Sequence, residues 1–336
     1  MASVTIQDVA RRAGVSAATV SNYFNWPDRL SDRMRLQVQR AVDELGFVPN
    51  MPARQLRRSR SNTIGLSVIN ASNPFFADIV VAVEKAAAAR GLSVMVGSTH
   101  ESPHQQDAYL RMFEQFRFDG IILSPFDAGV QHAQQIASRG TPVVLVDHRD
   151  ETQTLSSAST DHVLGGQFAA RHLLEVGCRR LVFASGPPGV RQVEERLRGA
   201  QQVVDATDGV TLTVLDGPDL DIDVGRATGR RIAAMSASNR PDGVFAGNDM
   251  AAIGIMQGLI GAGLTVPGDV AVLGYDDIAF AETTSVPLSS VRQVSRDIGA
   301  AAAELLLGEL DVPGRPREQL VFQPQLMARA STARTG

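Results

Sequence analysis

The feature that most constrains this chain is a regular alternation of short aliphatic runs with longer helical stretches. From Thr63 onward, eight such runs alternate with segments such as ADIVVAVEKAAAAR and QFAARHLLEVG. Parallel strands that helices cover on both faces have near-continuous Val, Ile and Leu sequences of this kind. Eight units exceed one doubly wound sheet of ordinary size. The pattern predicts an α/β body of two doubly wound parallel-sheet lobes, about 63–160 and 162–290, joined near ASTDH. The runs are TIGLSVI, LSVMVGS, GIILSP, PVVLVD, RLVFASG, VTLTVLD, DGVFAGND and VAVLGYD.

Polar and aromatic residues collect where the predicted strands end. In open parallel sheets, ligands bind beyond the carboxyl ends of the strands. Carboxylates and amides there can bind hydroxyl groups, and two aromatic rings can cover an apolar ring face. Each residue alone is also explained by helix capping, core packing or an ion pair, but their convergence at matching strand ends favours a ligand site. The candidate ligand-binding residues are Asn73, Phe75, Phe76, Ser124, Asp147, His148, Asn248 and Asp276, with Arg196 after the fifth run and Gln293 on the segment that follows the last.

The first 48 residues predict a small all-α headpiece. Thr5 suits an N-cap, and Gly14 suits the left-handed residue that ends a helix. Ser16 then caps a second helix after a short turn, which is helix-turn-helix spacing. A third helix starts after Ser31 and ends at Gly46. Such a headpiece places its second helix in the major groove of DNA.

The second helix offers small and polar side chains to the groove. Asn22 can pair bidentately with adenine, and an alanine methyl can contact that of thymine. Small surface residues of an ordinary helix pair would look the same, so the spacing alone leaves that alternative open. The candidate DNA-binding residues of the headpiece are Thr5, Ser16, Ala17, Ala18, Ser21 and Asn22.

Charge is unevenly divided along the chain. The first 60 residues hold ten Arg and five acidic residues, a net of +5, whereas the whole chain of 336 residues carries −4. A basic module on an acidic body suggests that the front end meets a polyanion. A chance fluctuation in a short window would give the same split, so charge alone leaves both interpretations open.

Two motifs resemble one family over essentially the whole chain. The run TIQDVARRAGVSAATVSNYFN, followed after a third helix by GFVPNMPARQL, resembles the LacI/GalR (lactose-repressor/galactose-repressor) family of transcriptional regulators. The resemblance implies a hinge at 49–61 that forms a short helix in the minor groove, where a leucine at the position of Leu56 wedges between base pairs. The hinge residues that it implies for DNA binding are Asn50, Ala53, Leu56 and Arg57.

The resemblance also implies the architecture of the body. It predicts a periplasmic-binding-protein-like body at 62–336, with a tail that crosses back through both lobes. Lobe 1 then takes in about 62–160 plus 292–321, and lobe 2 about 162–290 plus 323–330.

Position by position, the resemblance implies an effector site between the lobes. It assigns effector contacts to Asn73, Phe75, Phe76, Asp147, Arg196, Asn248, Asp276 and Gln293. Ribose-type sites commonly have Arg where this chain has His148, and an aromatic residue where it has Leu220. These two departures leave the identity of the effector open. The resemblance still predicts a sugar-like effector, with a nucleoside, a purine or another small metabolite acting as corepressor as the alternative.

Two other classes of protein were weighed against a DNA-binding regulator: an enzyme and a secreted solute-binding protein. The first run is not followed by G-x-G-x-x-G, the single lysine Lys85 lies in no phosphate loop, and no G-x-S-x-G elbow occurs. With one cysteine, Cys178, and no set of metal ligands, neither a metal nor a cofactor is predicted. Asp8, Arg11 and Arg12 stand where a signal peptide would be apolar, which indicates a cytoplasmic protein.

We therefore predict a sequence-specific DNA-binding transcriptional regulator of the repressor class, whose operator affinity a small effector controls. A twofold dimer can read two half-sites of a near-palindromic operator, and the tail MARASTARTG lacks the apolar heptads of a tetramer bundle. A homodimer is expected, and no membrane partner, since no run approaches the roughly 18 residues of a span. The operator sequence, the effector and the sign of its effect stay open.

Overall fold

The computed structural model describes residues 4–47, 61–100 and 102–333. The chain divides into two compact units, Met1–Ser61 and Asn62–Gly336. The predicted hinge residues Asn50, Ala53, Leu56 and Arg57 lie outside the described residues. None of the described helices is both long and apolar enough to span a membrane.

The N-terminal unit is the predicted three-helix headpiece, with α1 at Ile6–Ala13, α2 at Ala17–Asn25 and α3 at Asp32–Leu45. Thr5 and Asp8 form a capping box at the start of α1, and the Ser16 hydroxyl accepts the Thr19 amide at 3.0 Å at the start of α2. Gly14 ends α1 at φ 66°, a conformation that glycine adopts without steric cost. One fully buried valine from each helix anchors a small core: Val9, Val20 and Val38.

The first lobe of the body is a six-stranded sheet with the order β11-β5-β4-β3-β1-β2, in which β11 is Gln319–Phe322. All its pairings are parallel. Its elements along the chain are β1 (Thr63–Val68), α4 (Pro74–Ala88), β2 (Ser93–Ser98), α5 (Pro103–Gln115), β3 (Gly120–Leu123), α6 (Asp127–Ser138), β4 (Val143–Val146) and β5 (Ser156–Thr160).

The second lobe is a six-stranded sheet with the order β12-β10-β9-β8-β6-β7, in which β12 is Gln325–Met327. Its pairings are parallel except for the β10–β12 pair. Its elements are α7 (His162–Glu175), β6 (Arg180–Ser185), α8 (Arg191–Asp205), β7 (Thr211–Asp216), α9 (Ile222–Ala233), β8 (Gly243–Ala246), α10 (Asp249–Gly261), β9 (Ala271–Asp276) and β10 (Ser289–Arg292). The two doubly wound parallel-sheet lobes confirm the predicted fold class.

The chain crosses between the lobes three times. After β5 it enters lobe 2; after β10 it returns through α11 (Ser295–Asp311) and β11 (Gln319–Phe322) to lobe 1; then β12 (Gln325–Met327) joins lobe 2. The helix α11 packs against α4 and against the strands of lobe 1. Any movement of one lobe relative to the other must therefore take place about these three connecting segments.

Two sequence expectations need correction. The five residues SSAST of β5 form a buried strand between β4 and β11, whereas the sequence pattern predicted no strand here and placed the junction of the lobes near ASTDH. Small hydroxyl residues carry no aliphatic signal, although partners on both sides bury them. Arg292, which the resemblance assigned to lobe 1, ends β10 in the sheet of lobe 2.

Candidate functional site

A cleft lies between the two lobes of the body. Most of the predicted ligand residues line it, namely Asn73, Phe75, Phe76, Asp147, Arg196, Leu220, Asn248 and Asp276. Five further residues line it that the sequence did not indicate: Ile69, Asn70, Val190, Gln192 and Val193. The strand-end rule thus brings most of the predicted set together, while the missed residues come from the loop after β1 and from the start of α8.

Asp276 is the polar centre of the cleft and is only 5% exposed. Asn73 Nδ2 donates to one carboxylate oxygen at 3.0 Å, and Gln293 Nε2 donates to the other at 2.8 Å. The Arg196 guanidinium approaches to 3.8 Å. Burial raises the pKa of Asp276 above its ordinary value, although Arg196, Asn73 and Gln293 act to lower it. Because Asn73 precedes α4 of lobe 1, this carboxylate joins the two lobes.

Arg196 is held rigidly in lobe 2. Its Nη1 donates to the Gly247 carbonyl at 2.6 Å, and its guanidinium stacks 3.8 Å above the Tyr275 ring. Gly166 lets α7 approach the backbone of α8 at Arg196, since a Cβ on Gly166 would lie 2.0 Å from the Arg196 carbonyl oxygen. A fixed guanidinium loses little entropy on binding a ligand oxygen.

The two cleft carboxylates stand on strained backbone. Asp147 follows β4 with φ 56°, and Asp276 ends β9 with φ 106°. Left-handed conformations cost a non-glycine residue about 1–3 kcal/mol and concentrate at ligand sites. One such carboxylate lies at the corresponding strand end of each lobe, where it is directed at the shared cleft.

Aromatic and aliphatic side chains form the apolar surface of the cleft. Phe75 and Phe76 meet edge to face with centroids 5.0 Å apart at the start of α4, which the Asn73 side chain caps. Leu220 packs close over Gly186 and Gly247. Polar groups among apolar surfaces are the arrangement that binds small polar metabolites.

Asn248 connects these surfaces to α10. Its Oδ1 accepts the Ala251 amide at 2.8 Å, and its Nδ2 donates to the Leu220 carbonyl at 2.9 Å. Its side chain is therefore a helix cap as well as part of the cleft lining.

Three predicted residues do not line the cleft. Ser124 is completely buried behind β3, where its amide donates to the Ser67 carbonyl at 2.8 Å. His148 is also buried and is not among the lining residues. Gln293 acts on the cleft through its bond to Asp276. Each of these residues lies near a strand end, but only the packing decides which side chains reach the cleft.

The predicted DNA-binding residues lie on the surface of the headpiece. Ala17 and Ala18 in the first turn of α2 are exposed, and Ser21 and Asn22 are partly exposed. Thr5 and Ser16 are exposed N-caps. Their contacts with DNA stay predictions.

Both units match known protein families. Residues 5–50 match the bacterial regulatory proteins of the lacI family, and residues 170–332 match the periplasmic binding protein-like domain. The chain is 31% identical over 333 residues to the ribose operon repressor of Escherichia coli strain K12. This alignment covers 97% of this chain and 99% of the repressor. It is 30% identical to the transcriptional repressor PurR of Photobacterium profundum, over 97% of this chain and 98% of that one.

Solved structures resemble the whole chain and the body. The lac repressor dimer bound to operator and the anti-inducer ONPF has a TM-score of 0.79 at 25% identity, covering 98% of this chain and 99% of that one. A LacI family regulator from Enterococcus faecalis with bound ribose has a TM-score of 0.73 at 25% identity, covering 81% of this chain and 98% of that one.

Proposed function

Because the chain belongs to the lacI family of bacterial regulatory proteins and is a transcriptional repressor rather than an enzyme, we propose that a small polar effector held between the lobes sets its affinity for operator DNA. The repressor acts as a cytoplasmic homodimer on double-stranded DNA. Each headpiece reads one half-site through Asn22 and its neighbours on α2, and the residues Asn50, Ala53, Leu56 and Arg57 bind the minor groove.

The observation that carries this proposal is the meeting of both lobes at Asp276. Asn73 from lobe 1 and Arg196 from lobe 2 lie within 3.8 Å of the same carboxylate. A ligand that binds these groups changes the relative free energy of open and closed lobes, and only such a difference can alter DNA affinity.

A sugar is the first candidate for the effector. Two carboxylates and four amides supply hydroxyl-binding groups, and Phe75 and Phe76 supply an apolar surface. The ribose operon repressor and the ribose-bound neighbour support this choice. A purine or nucleoside is the second candidate, because PurR relatives are nearly as similar and aromatic rings also stack on bases.

The experiment begins with operator DNA selected from a random pool by the full-length protein. Fluorescence anisotropy then measures operator affinity for the wild type and for Asn22→Ala. Loss of a bidentate adenine contact should cost about 1–3 kcal/mol at one base position and relax the preference there. Asn239→Ala, an exposed substitution in the body, serves as the control.

The effector arm repeats the measurement with D-ribose, D-glucose or hypoxanthine present. At least one of them should shift operator affinity. The assignment of DNA reading to α2 is wrong if Asn22→Ala binds every operator variant as the wild type does.

A further inference from the structure

Trp26, the only tryptophan of the chain, lies at the C-terminal end of α2 and is 41% exposed. Its amide donates to the Asn22 carbonyl at 2.7 Å, which places it one helical turn beyond Asn22. Residues four apart lie on one side of a helix, so Trp26 continues the row of Ala18 and Asn22. The nearby rings of Tyr23 and Phe24 pack against the headpiece core instead. A large aromatic ring thus extends the surface that α2 is proposed to turn toward DNA.

Arg29 folds back over this ring. A short 3-10 turn at Pro27–Arg29 follows α2, and the Arg29 amide donates to the Trp26 carbonyl at 3.0 Å. The guanidinium carbon lies 5.0 Å from the centre of the Trp26 ring, within the range of a cation–π contact. Ion pairs within the described part of the headpiece involve other arginines. The exposed charge of Arg29 is therefore held in place by an aromatic ring, without an acidic partner among the described residues.

A phosphate group is the partner that this arrangement fits. A guanidinium presents N–H donors in a planar fork that matches phosphate oxygens, and a stacked guanidinium loses less conformational freedom when it binds one. The exposed indole offers an apolar face to the deoxyribose beside that phosphate. Most protein–DNA hydrogen bonds are made to phosphate and sugar groups of this kind.

The charges around the turn are compatible with an anionic partner. The charged residues from Trp26 to Arg35 are Asp28, Arg29, Asp32, Arg33 and Arg35. Asp32 and Arg35 pair with each other, which leaves two arginines against one aspartate. The attraction is local rather than general, because the remaining excess is one positive charge. A defined contact through Arg29 is therefore favoured over a diffuse basic surface.

We propose that Trp26 and Arg29 form a backbone clamp at the end of α2, in which Arg29 binds one DNA phosphate in each half-site and Trp26 holds its guanidinium in place. The inference rests on the proposed function and extends it, since α2 must face the DNA for the turn to reach the backbone. Phosphate contacts fix the orientation of a protein on the duplex and carry no sequence information. The clamp thus orients α2, whereas Asn22 reads a base.

The single tryptophan makes the first test direct, because all tryptophan emission of the chain comes from Trp26. Full-length protein is titrated with the selected operator while anisotropy measures binding in the same samples. We expect the emission to change until one operator is bound per dimer, and bound DNA to shield Trp26 from the neutral quencher acrylamide. Unchanged emission together with unchanged quenching in the saturated complex would overturn the inference.

The second test uses variants and salt. Arg29→Gln removes the charge, Trp26→Ala removes the ring, and Trp26→Phe keeps an aromatic face. Arg40→Gln, at an exposed position of α3, is the control of equal charge. Each variant is measured by anisotropy against the operator and against a scrambled duplex, over a range of salt concentrations.

Arg29→Gln should weaken both duplexes by a similar factor, about 10- to 100-fold at low salt. Its plot of log affinity against log salt should be shallower by about 1.8, since each phosphate contact contributes about 0.9 and a dimer has two headpieces. Trp26→Ala should weaken both duplexes in the same direction, and Trp26→Phe should recover most of that loss. Arg40→Gln should keep the slope of the wild type.

A wild-type slope in Arg29→Gln would overturn the inference, and so would a loss confined to the operator, which would indicate base reading. Thermal unfolding identifies any variant that misfolds, and Arg29→Gln and Trp26→Phe keep the test decisive if Trp26→Ala does so. The proposed base reading fails separately, if Asn22→Ala binds every operator variant as the wild type does. A shallower slope in Arg29→Gln would support the clamp in that case too.

Discussion

At the scale of single residues, the cleft holds buried charged side chains close to one another. Arg196 and Asp276 lie opposite each other with side chains that are almost fully buried. Arg196→Ala or Asp276→Ala should each weaken effector binding by about 2–5 kcal/mol, because each leaves a buried charged partner unpaired. Calorimetry with the sugar that binds the wild type measures the loss, and Arg198→Ala, exposed on the same helix, is the control. Unaltered affinity in both variants would rule out this site.

Asp249, directly after the cleft residue Asn248, gives a second prediction at this scale. It is fully buried, and its carboxylate accepts the Ser290 hydroxyl at 2.6 Å and the Ile278 amide at 2.8 Å. Burial, together with the nearby Asp276, raises the pKa of Asp249 well above its ordinary value. A raised folded-state pKa gives stability that is present at low pH and lost as the pH rises through that pKa.

Asp249→Asn imitates the protonated carboxyl, so its melting temperature should rise relative to the wild type as the pH increases from about 4 upward. Asp269→Asn should give the opposite trend. Hydrogen bonds from Thr265 lower the pKa of Asp269, whose stabilising effect is lost as the pH falls. Thermal unfolding across the pH range measures both differences. Parallel curves for wild type and Asp249→Asn would contradict the assignment.

At the scale of elements, glycines let the helices of lobe 2 pack at backbone distance. A Cβ on Gly254 of α10 would lie 2.2 Å from the Ile222 carbonyl oxygen of α9, and one on Gly225 of α9 would lie 2.3 Å from the Ala251 carbonyl oxygen. These contacts are with backbone atoms, so the helices would have to separate. The glycines thus fix how α10 presents its N-cap Asn248 to the cleft.

Gly254→Ala should lower the free energy of unfolding by about 1–3 kcal/mol, because the clash exceeds the gain of about 1 kcal/mol in helix propensity. Gly261→Ala, at the end of the same helix, meets no atom within 4 Å and should be neutral or stabilising. Chemical denaturation of the two variants measures the difference. Equal stability would mean that α9 and α10 are not packed this closely in solution.

At the scale of the whole molecule, effector and operator must act on each other reciprocally. If the effector lowers operator affinity by some factor, the operator lowers effector affinity by the same factor. A Gly/Ser insertion at the junction of Ser61 and Asn62, where the two units meet along the chain, should uncouple the sites while each still binds its ligand. Anisotropy with and without effector measures the coupling. A full effector response in the insertion variant would favour coupling through the dimer interface alone.

The sequence by itself determined the features that depend on near neighbours in the chain. Thr5, Ser16 and Gly14 mark helix ends because capping uses residues within one turn. The aliphatic runs mark the parallel strands, most of which are buried on both faces, although the edge strands β2 and β7 are largely exposed. The rule for strand ends then placed Asp147 and Asp276 in one cleft.

Only the tertiary structure decided the features that depend on residues far apart. The strand SSAST is buried by β4 and by β11, which lies about 160 residues later, so no local pattern identifies it. Ser124 and His148 follow the ends of β3 and β4 yet do not line the cleft, whereas Gln192 does so from the first turn of α8. His162 gains its place between Arg196 and Asp147 when the lobes meet, because hydrogen bonding and burial act over distance in space and not along the chain.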